Sequence, residues 1–390
     1  MSESSVRPNI LLLGTHGQKN WGDELLLLTF LHQLAPAAGH FFINSYDPPA
    51  TAELTAAYPA TTFHTKHQPW GLFEALLKSR TVIFAGGSII KELYPEYGGR
   101  RHRTLKMLDT MSRAVRLLPG RTMVFSNIGV GPLTTPKAKQ LARRILARGS
   151  QVAVRDTVSY ELTQNLALPV VPQLVPDAVF SLRPDYFQLY AEPAGAPKVV
   201  INLCKNIAPP GSLSRLIDHL TISLTQLLAA YPNLEIVGVP MQSRVASNDD
   251  LEALKTLRYR VLAEVSAADF VLLEPSSIDE VAQALSTAQL VIAERLHTLI
   301  LATILHIPFV ALEYDVKVSG VVADLGLADW GVNIREPYEA AGITRVALAH
   351  LRNQGSAKER VVAAAAAKHT AANDYFRQLR HTITTESAGP

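Results

Sequence analysis

Short apolar runs alternate with amphipathic stretches along the first half of the chain. Runs rich in β-branched and aromatic residues predict buried strands, and they occupy residues 9–14, 40–45, 81–85, 122–127, 151–154 and 170–174. Between them, apolar residues recur at helical spacing, over residues 24–34, 72–79, 103–118 and 137–148. This alternation predicts a doubly wound α/β domain built on a parallel sheet.

The same alternation begins again in the second half. The proline-containing stretch over residues 186–197 shows neither period and is interpreted as a linker. Further strand-like runs follow it, most with a helical segment behind them, at residues 198–203, 234–239, 270–273, 289–293 and 309–314. The fold class predicted is α/β with two Rossmann-like doubly wound domains. Their predicted extents are residues 1–185 and 198–345, with closing helices over 346–390.

Composition limits the class of protein. A chain of 390 residues with 48% hydrophobic content has enough apolar material for two cores, which excludes disorder as its main character. The 37 basic and 34 acidic residues are spread along the chain, so no nucleic-acid partner is expected. Cys204 is the one cysteine, which excludes an internal disulfide and a thiolate metal site and is typical of a reducing compartment. A cytoplasmic protein is expected, because the polar N-terminus lacks a signal-peptide core and charged residues interrupt the longest apolar stretch, 290–312.

Glycine-bearing loops follow several of the predicted strands and suggest a cleft wall. Residues 14–24 follow the first strand, 85–88 the third and 127–132 the fourth, while a further glycine turn at 97–100 follows a helical piece. Each of these loops taken alone could be only a tight turn.

The loop over residues 14–24 lies where a dinucleotide-binding motif would be expected, directly after the first predicted strand. Its three glycines do not have the G-x-G-x-x-G spacing, and Asp23 and Glu24 at the helix entrance would repel a pyrophosphate. Asn20, Asp23 and backbone amides suit neutral sugar hydroxyls better. The alternative is a tight turn in which Asp23 is only an N-cap.

Basic side chains lie where predicted strands end. Arg295 and His297 are separated by one residue and point the same way in an extended strand exit, next to the amides of a helix start. Lys317 follows one helix and one strand later, on a neighbouring strand tip, and Arg155 has the same form in the first domain. These positions predict a site for a small, multiply charged anion. The alternatives are a surface ion pair of Arg155 with Asp156, a core position for His297 and simple solvation of Lys317.

These motifs resemble the polysaccharide pyruvyltransferase family, whose members move a pyruvyl group from phosphoenolpyruvate onto a sugar as a ketal. The resemblance covers roughly residues 10 to 330 and is most specific in the C-terminal half. It rests on Gly17-x-x-Asn20-x-Gly22-Asp23-Glu24, Gly86-Gly87-Ser88, Gly129-Val130-Gly131-Pro132, Val154-Arg155-Asp156, Pro176-Asp177, Arg295-Leu296-His297, and Ile307 through to Tyr314-Asp315-x-Lys317. The chain departs from the family pattern at Ala85, where such sequences often have a third glycine, and at Cys204-Lys205-Asn206, where an arginine is expected. Both departures leave the donor's outer contacts open.

The resemblance implies an architecture of the GT-B glycosyltransferase type, with two domains facing across a cleft that holds the active site. It implies an acceptor side on the N-terminal domain and a phosphoenolpyruvate side on the C-terminal domain. Arg155, His297 and Lys317 are then the catalytic candidates, and the donor-binding candidates are the same three with Arg295. The acceptor-binding candidates are Asn20, Asp23, Gly17, Gly86, Gly87 and Asp177.

The residue types suit this chemistry independently. Phosphoenolpyruvate carries a carboxylate and a phosphate and needs cationic groups at two points, which Arg295, Lys317 and Arg155 can supply. An imidazole suits proton transfer near neutral pH, so His297 either shuttles protons or holds the phosphate. Asp23 or Asp177 is a candidate to accept the proton of the attacking hydroxyl. No metal and no cofactor is expected, with phosphoenolpyruvate as a co-substrate.

The expected partner is a saccharide acceptor in a cell-surface or exopolysaccharide precursor. If that acceptor is lipid-linked, the protein would work at the inner face of the membrane. Trp21, Trp70 and the arginines around Arg100 are candidates for a peripheral contact there.

Two other functions compete with this interpretation. A glycosyltransferase of the same architecture would use a nucleotide-sugar, but the second half has no pair of glutamates eight residues apart and no Asp-x-Asp. A non-catalytic sugar-binding module would be expected to have lost the cationic residues, which are present here. Pyruvyl transfer is therefore the preferred interpretation.

Overall fold

A computed structural model describes most of the chain. The described ranges are residues 7–64, 66–93, 100–191, 195–205, 212–243 and 249–387. The predicted glycine turn at 97–100 lies outside them except for Arg100, and Asn206 lies outside them as well.

The chain divides into two units. Unit 1 comprises Met1–Gln18, Asp23–Ser181 and Thr370–Pro390, and unit 2 comprises Lys19–Gly22 and Leu182–His369. The second unit therefore includes four residues of the loop that the sequence assigned to the first domain. Backbone hydrogen bonding gives the reason, since the Trp21 amide donates to the Met241 carbonyl at 2.9 Å and Asn20 forms a β-bridge with Gln242.

The described part of unit 1 contains one parallel sheet. Its strands are β1 Asn9–Leu13, β2 His40–Asn44, β3 Ala60–Phe63, β4 Thr81–Ala85, β5 Thr122–Ile128, β6 Gln151–Val154 and β7 Gln173–Leu174. They pair in the order β3-β2-β1-β4-β5-β6-β7. The helices of this part of the sequence are α1 Trp21–Leu34, α2 Pro48–Leu54, α3 Pro69–Lys78, α4 Arg103–Leu117, α5 Pro136–Leu146 and α6 Thr157–Gln164. Short 3-10 helices follow at Ala178–Ser181 and Pro184–Tyr186.

The described part of unit 2 repeats this plan. Its strands are β8 Lys198–Asn202, β9 Glu235–Gly238, β10 Asp269–Leu272, β11 Leu290–Ala293, β12 Phe309–Glu313 and β13 Gly331–Asn333. All pair in parallel, in the order β10-β9-β8-β11-β12-β13. The helices are α7 Ser212–Ala230, α8 Asp250–Glu264, α9 Ile278–Ser286, α10 Leu296–Ile304, α11 Val316–Asp324 and α12 Ala340–Arg352, with a 3-10 helix at Ala328–Trp330. The long helix α13, Gln354–Ser387, begins in unit 2, and its residues from Thr370 onward belong to unit 1.

The central strands are buried on both faces, as parallel sheets require. In unit 1, Phe84 of β4 and Phe125 of β5 are fully buried and stack with ring centroids 4.6 Å apart. In unit 2, Ile201 of β8 and Ile292 of β11 are fully buried within one core cluster. These continuous apolar strands are the reason that the central elements were visible in the sequence.

The edges of the sheets differ from the prediction. The sequence did not predict β3 and β13, because edge strands are short and only partly buried. The predicted strand over residues 170–174 is reduced to Gln173–Leu174, since Pro172 has no amide hydrogen for a ladder and Val171 is exposed.

Strand order reverses once in each sheet, between β1 and β4 and between β8 and β11. Open α/β sheets bind ligands outside the carboxyl ends of their strands at such a switch point. The loops after β1, β4, β8 and β11 are therefore the expected positions of a ligand site.

Candidate functional site

Arg295 lies two residues after the end of β11, at the switch point of unit 2. Its Nη2 donates to Asp250 Oδ1 at 2.6 Å and its Nε to Asp250 Oδ2 at 3.1 Å. Asp250 is fully buried at the start of α8, and the Gln242 amide donates to the same carboxylate at 3.0 Å. This two-point pair fixes the plane of the guanidinium.

The strand ends around Arg295 add further polar groups. The Asn202 side chain, at the end of β8, accepts from the Arg295 amide at 3.1 Å and donates to the Val239 carbonyl at 2.9 Å. Glu294 accepts from the Cys204 amide at 2.7 Å, while its other carboxylate oxygen has no hydrogen-bond partner among the described residues. Burial raises the pKa of Glu294 to about 8, so the carboxyl is largely protonated at neutral pH.

His297 lies in the first turn of α10, whose N-cap residue is Arg295 without a side-chain capping bond. The imidazole packs against Gly22, since a Cβ on that glycine would lie 2.8 Å from His297 Cγ and closer still to Nδ1. Gly22 belongs to the loop that Trp21 and Asn20 hold to unit 2, and its amide donates to Asn20 Oδ1 at 3.0 Å. The glycine of the Asn20-x-Gly22 motif is thus required by the space that His297 occupies.

Lys317 lies in the first turn of α11, after β12, which pairs with β11. Its amide donates to Asp315 Oδ1 at 3.0 Å, and its residue is buried, so the alternative of a simply solvated lysine is wrong. The structure therefore places Arg295, His297 and Lys317 on adjacent strand exits of one sheet, as predicted from their spacing. Their roles stay predictions.

Arg155 follows β6 in unit 1 and is buried, so the alternative of a surface ion pair is wrong. Its Nη1 donates to Asp177 Oδ2 at 2.8 Å and its Nη2 to Ser88 Oγ at 3.0 Å. A Cβ on Gly129 would lie 3.4 Å from Arg155 Nε, so the loops after β4, β5 and β6 meet around this guanidinium. The sequence assigned Arg155 to the donor and Asp177 to the acceptor, whereas the structure pairs the two side chains directly.

The loop after β1 contains two buried titratable groups. His16 is 1% exposed, and neither ring nitrogen has a hydrogen-bond partner within the part of the chain that the structure describes; burial lowers its pKa to about 4. Glu24 accepts from the Gly17 amide at 2.8 Å, and burial raises its pKa to about 7. Gly17 itself has φ +76°, and a Cβ there would lie 2.6 Å from the Asp47 amide nitrogen. Backbone conformation and packing therefore explain the glycine at this position, and its assignment to the acceptor stays a prediction.

The two glycines after β4 differ in their surroundings. A Cβ on Gly86 would meet Leu26 in the core at 3.0 Å, whereas one on Gly87 would lie 3.6 Å from Thr15 Oγ1 and 3.9 Å from Asp23 Oδ1. Gly87 and Asp23 thus border the same space beside the loop after β1, while Gly86 serves packing.

Sequence reasoning missed Asp250, Gln242, Asn202 and the buried His16. Asp250 follows Asp249 in the sequence. Two acidic residues at a helix start are usually explained as an N-cap and as a charge that stabilises the helix dipole. Asn202 ends an apolar run, which is a weak signal. Glu294 stands next to Arg295 in the sequence, and that adjacency could have drawn attention to it.

Two negative findings apply to the described residues alone. Within them, no group of three or more His, Cys, Asp or Glu side chains could hold a metal ion. None of their helices is both long and apolar enough to cross a membrane.

Solved structures share this fold over nearly the whole chain. UDP-GlcNAc 2-epimerase from Neisseria meningitidis, bound to UDP-GlcNAc, has a TM-score of 0.63 at 10% identity, covering 95% of this chain and 99% of that chain. A glycosyltransferase from Rickettsia africae ESF-5 gives 0.63 at 11% identity, with 97% and 98% covered. Sucrose-phosphate synthase from Thermosynechococcus elongatus gives 0.61 at 13% identity, with 97% and 100% covered. At such low identity, structural similarity shows the fold alone. The similarity confirms the predicted class of two Rossmann-like domains of the GT-B type.

Sequence families give the more specific result. No curated protein matches the chain. The family model described as polysaccharide pyruvyl transferase matches residues 20–316, which include Arg155, Arg295 and His297 and end one residue before Lys317. Because this match spans well over half of the chain, the resemblance drawn from the motifs is confirmed, and the chain belongs to the polysaccharide pyruvyl transferase family.

Proposed function

We propose that this enzyme transfers the pyruvyl group of phosphoenolpyruvate to two hydroxyls of a sugar, forming a cyclic ketal and releasing phosphate. Family membership supports a transferase that acts on a saccharide. The observation that carries the finer proposal is the group of Arg295, His297 and Lys317 on the adjacent strand exits of β11 and β12.

The carboxylate and the phosphate of phosphoenolpyruvate suit the cluster of Arg295, His297 and Lys317. Asp250 holds the Arg295 guanidinium in one plane, which favours planar contact with a carboxylate or phosphate. The Arg295 side chain does not cap α10, and the positive end of the helix dipole at this N-terminus favours a second anionic oxygen. Lys317 supplies a cation from the next strand.

Ketal formation requires a proton to move at each stage. The methylene carbon of the donor gains a proton, one sugar hydroxyl oxygen bonds to the central carbon and loses its proton, and the bond from that carbon to the phosphate oxygen breaks. A second hydroxyl oxygen of the same sugar then bonds to the carbon and loses its proton. His297 is our choice for the imidazole that transfers a proton in this sequence or holds the departing phosphate.

For the acceptor we favour Asp23 over Asp177 as the group that accepts the hydroxyl proton. One oxygen of Asp177 already accepts from Arg155 and the other from the Val179 amide, whereas Asp23 borders the space beside Gly87. Asn20 is assigned a supporting role instead, because its side-chain oxygen accepts from the Gly22 amide.

The test is turnover with defined substrates. Purified protein, phosphoenolpyruvate and a panel of nitrophenyl glycosides or lipid-linked sugars should release inorganic phosphate and give a product heavier by a pyruvate ketal. Parallel reactions replace phosphoenolpyruvate with UDP-sugars. Turnover that needs the nucleotide-sugar, and not phosphoenolpyruvate, would refute the proposal and support a glycosyltransferase.

Single substitutions test the residue roles. His297→Ala should abolish phosphate release, while the matched control His381→Ala, on an exposed position of α13, should leave it unchanged. Lys317→Ala should chiefly raise KM for phosphoenolpyruvate. If Lys317→Ala changed only the KM for the acceptor, the donor would have to lie elsewhere.

A further inference from the structure

Three helices cover one face of the sheet of unit 1. Leu76 of α3, Leu108 of α4 and Leu141 of α5 belong to a single core cluster with the strands beneath. The outer sides of the same helices are exposed. We call this outer side the α3–α4–α5 surface.

The charge of this part of the chain is strongly one-sided. Residues 66–148 include sixteen lysines and arginines but four acidic residues, although the whole chain has a formal net charge of +3. Helix α5 contains Lys137, Lys139, Arg143 and Arg144 and no acidic residue. The acidic residue of α4, Asp109, accepts hydrogen bonds from Arg144 at 2.9 Å and from Arg148 at 2.7 Å.

Large apolar side chains are exposed on the same surface. On α3, Trp70 is 79% exposed, Phe73 52% and Leu77 50%, at the spacing of one helical stripe. The rings of Trp70 and Phe73 contact each other edge to face at 6.1 Å between centroids. At the end of α4, Leu117 is 77% exposed. Leaving such side chains in water is unfavourable, and a stripe of this kind marks an interaction site.

The apolar and basic regions are joined. Arg121, four residues after the end of α4, donates to the Leu77 carbonyl at 2.8 Å and to the Leu76 carbonyl at 3.2 Å, so the segment between α4 and β5 lies against the end of α3. The contacts of Asp109 with Arg144 and Arg148 join α4 to the end of α5 and the residues after it. The α3–α4–α5 surface is thus one continuous area with an aromatic stripe beside a field of positive charge.

We propose that the α3–α4–α5 surface docks on an anionic lipid membrane. Exposed tryptophan and phenylalanine insert at the headgroup boundary, and lysine and arginine are attracted to anionic headgroups. Neither the exposed aromatic side chains nor the basic residues alone indicate a lipid partner. Together they complement a bilayer, whose surface is negatively charged and whose interior is apolar. The proposal goes beyond pyruvyl transfer and does not rest on it.

Vesicle sedimentation tests the proposal without turnover. The full-length protein should sediment with vesicles of equal parts phosphatidylcholine and phosphatidylglycerol, and not with phosphatidylcholine alone, and added salt should weaken this binding. Arg113→Gln with Arg116→Gln should lower the partition coefficient by about fivefold for each charge removed. Trp70→Ala with Phe73→Ala should lower it by about tenfold or more.

A matched control lies on unit 2. Tyr259 is 74% exposed on α8, and Lys255 is exposed on the same helix, so Tyr259→Ala with Lys255→Gln removes one aromatic and one cation elsewhere and should leave binding unchanged. Circular dichroism should show that every variant is folded. Equal binding to neutral and anionic vesicles, equal loss in the control, or binding to soluble polyphosphate without binding to vesicles would each overturn the proposal.

Discussion

The substitution Gly22→Ala tests whether the loop over residues 19–22 positions the imidazole of His297. Gly22 lies in the first turn of α1, where alanine has the better helix propensity by about 1 kcal/mol. Its φ is not in the left-handed region, so the added methyl group causes no backbone strain. Any loss of function must then come from the contact with His297.

The magnitude follows from the available space. A Cβ on Gly22 would lie 2.8 Å from His297 Cγ and 3.0 Å from His297 Cβ, whereas carbon atoms in contact normally lie about 3.5–4.0 Å apart. The ring or the loop must therefore retreat by about 0.5–1 Å. The loop is held by the bond from Trp21 to Met241, so we expect the ring to move. A displacement near 1 Å at a reacting group costs about 100-fold in rate, and overpacking costs about 1–3 kcal/mol of stability.

Phosphate release from phosphoenolpyruvate in the presence of acceptor is the assay, with urea unfolding measured in parallel. Gly355→Ala is the matched control, because nothing lies within 4 Å of a Cβ there. In the double variant with His297→Ala, Gly22→Ala should no longer lower the free energy of unfolding, since the two changes share one contact. A folded Gly22→Ala protein with a rate within about twofold of the native one would refute the reasoning.

Buried carboxylates give the remaining predictions. Asp250→Ala should lower the free energy of unfolding by about 3–5 kcal/mol, because it removes the carboxylate that pairs with the largely buried Arg295; urea denaturation checks this, and Asp250→Asn should lose less. Burial raises the pKa of Glu294 to about 8 from an ordinary value of 4.5, so the stability from its protonated form is complete below pH 4.5 and is lost as pH rises through about 8. Glu294→Gln should flatten that fall, whose limit is about 1.4 kcal/mol per unit of pKa shift, and an equal fall in the variant would contradict the assignment. Asp177→Asn should lower kcat/KM for phosphoenolpyruvate by releasing Arg155, whereas an effect on the acceptor KM alone would return Asp177 to the acceptor site.

The central architecture could be predicted because hydrophobic periodicity reports burial. Strand β11 is apolar at every position and β4 at every position after Thr81, and both are buried throughout; their lengths agree with the runs in the sequence. Edge elements such as β3 and β13 are half-buried, so their composition differs little from that of loops. The prediction failed where the physical signal itself is weak.

The basic side chains of the candidate site could be predicted from the sequence, but the carboxylates that pair with them could not. Arg155, Arg295 and Lys317 could be found because each follows an apolar run, and strand exits converge in a parallel sheet. The carboxylates Asp177 and Asp250 are distant in the sequence and became partners through folding alone. Because basic and acidic residues are nearly equal in number over the whole chain, the total charge did not reveal the basic stretch over residues 66–148.

These pairings change how the arginines are understood. In each unit an arginine at a strand exit is held by a buried carboxylate from another segment: Arg155 by Asp177 and Arg295 by Asp250. A guanidinium that is already neutralised contributes little net positive field, but its remaining donors keep a fixed direction. In the proposed donor site, the value of such an arginine to an anionic ligand would therefore be geometric. A lysine at either position would keep the charge and lose the two-point geometry, so the presence of arginine at both supports oriented hydrogen bonding rather than general electrostatic attraction.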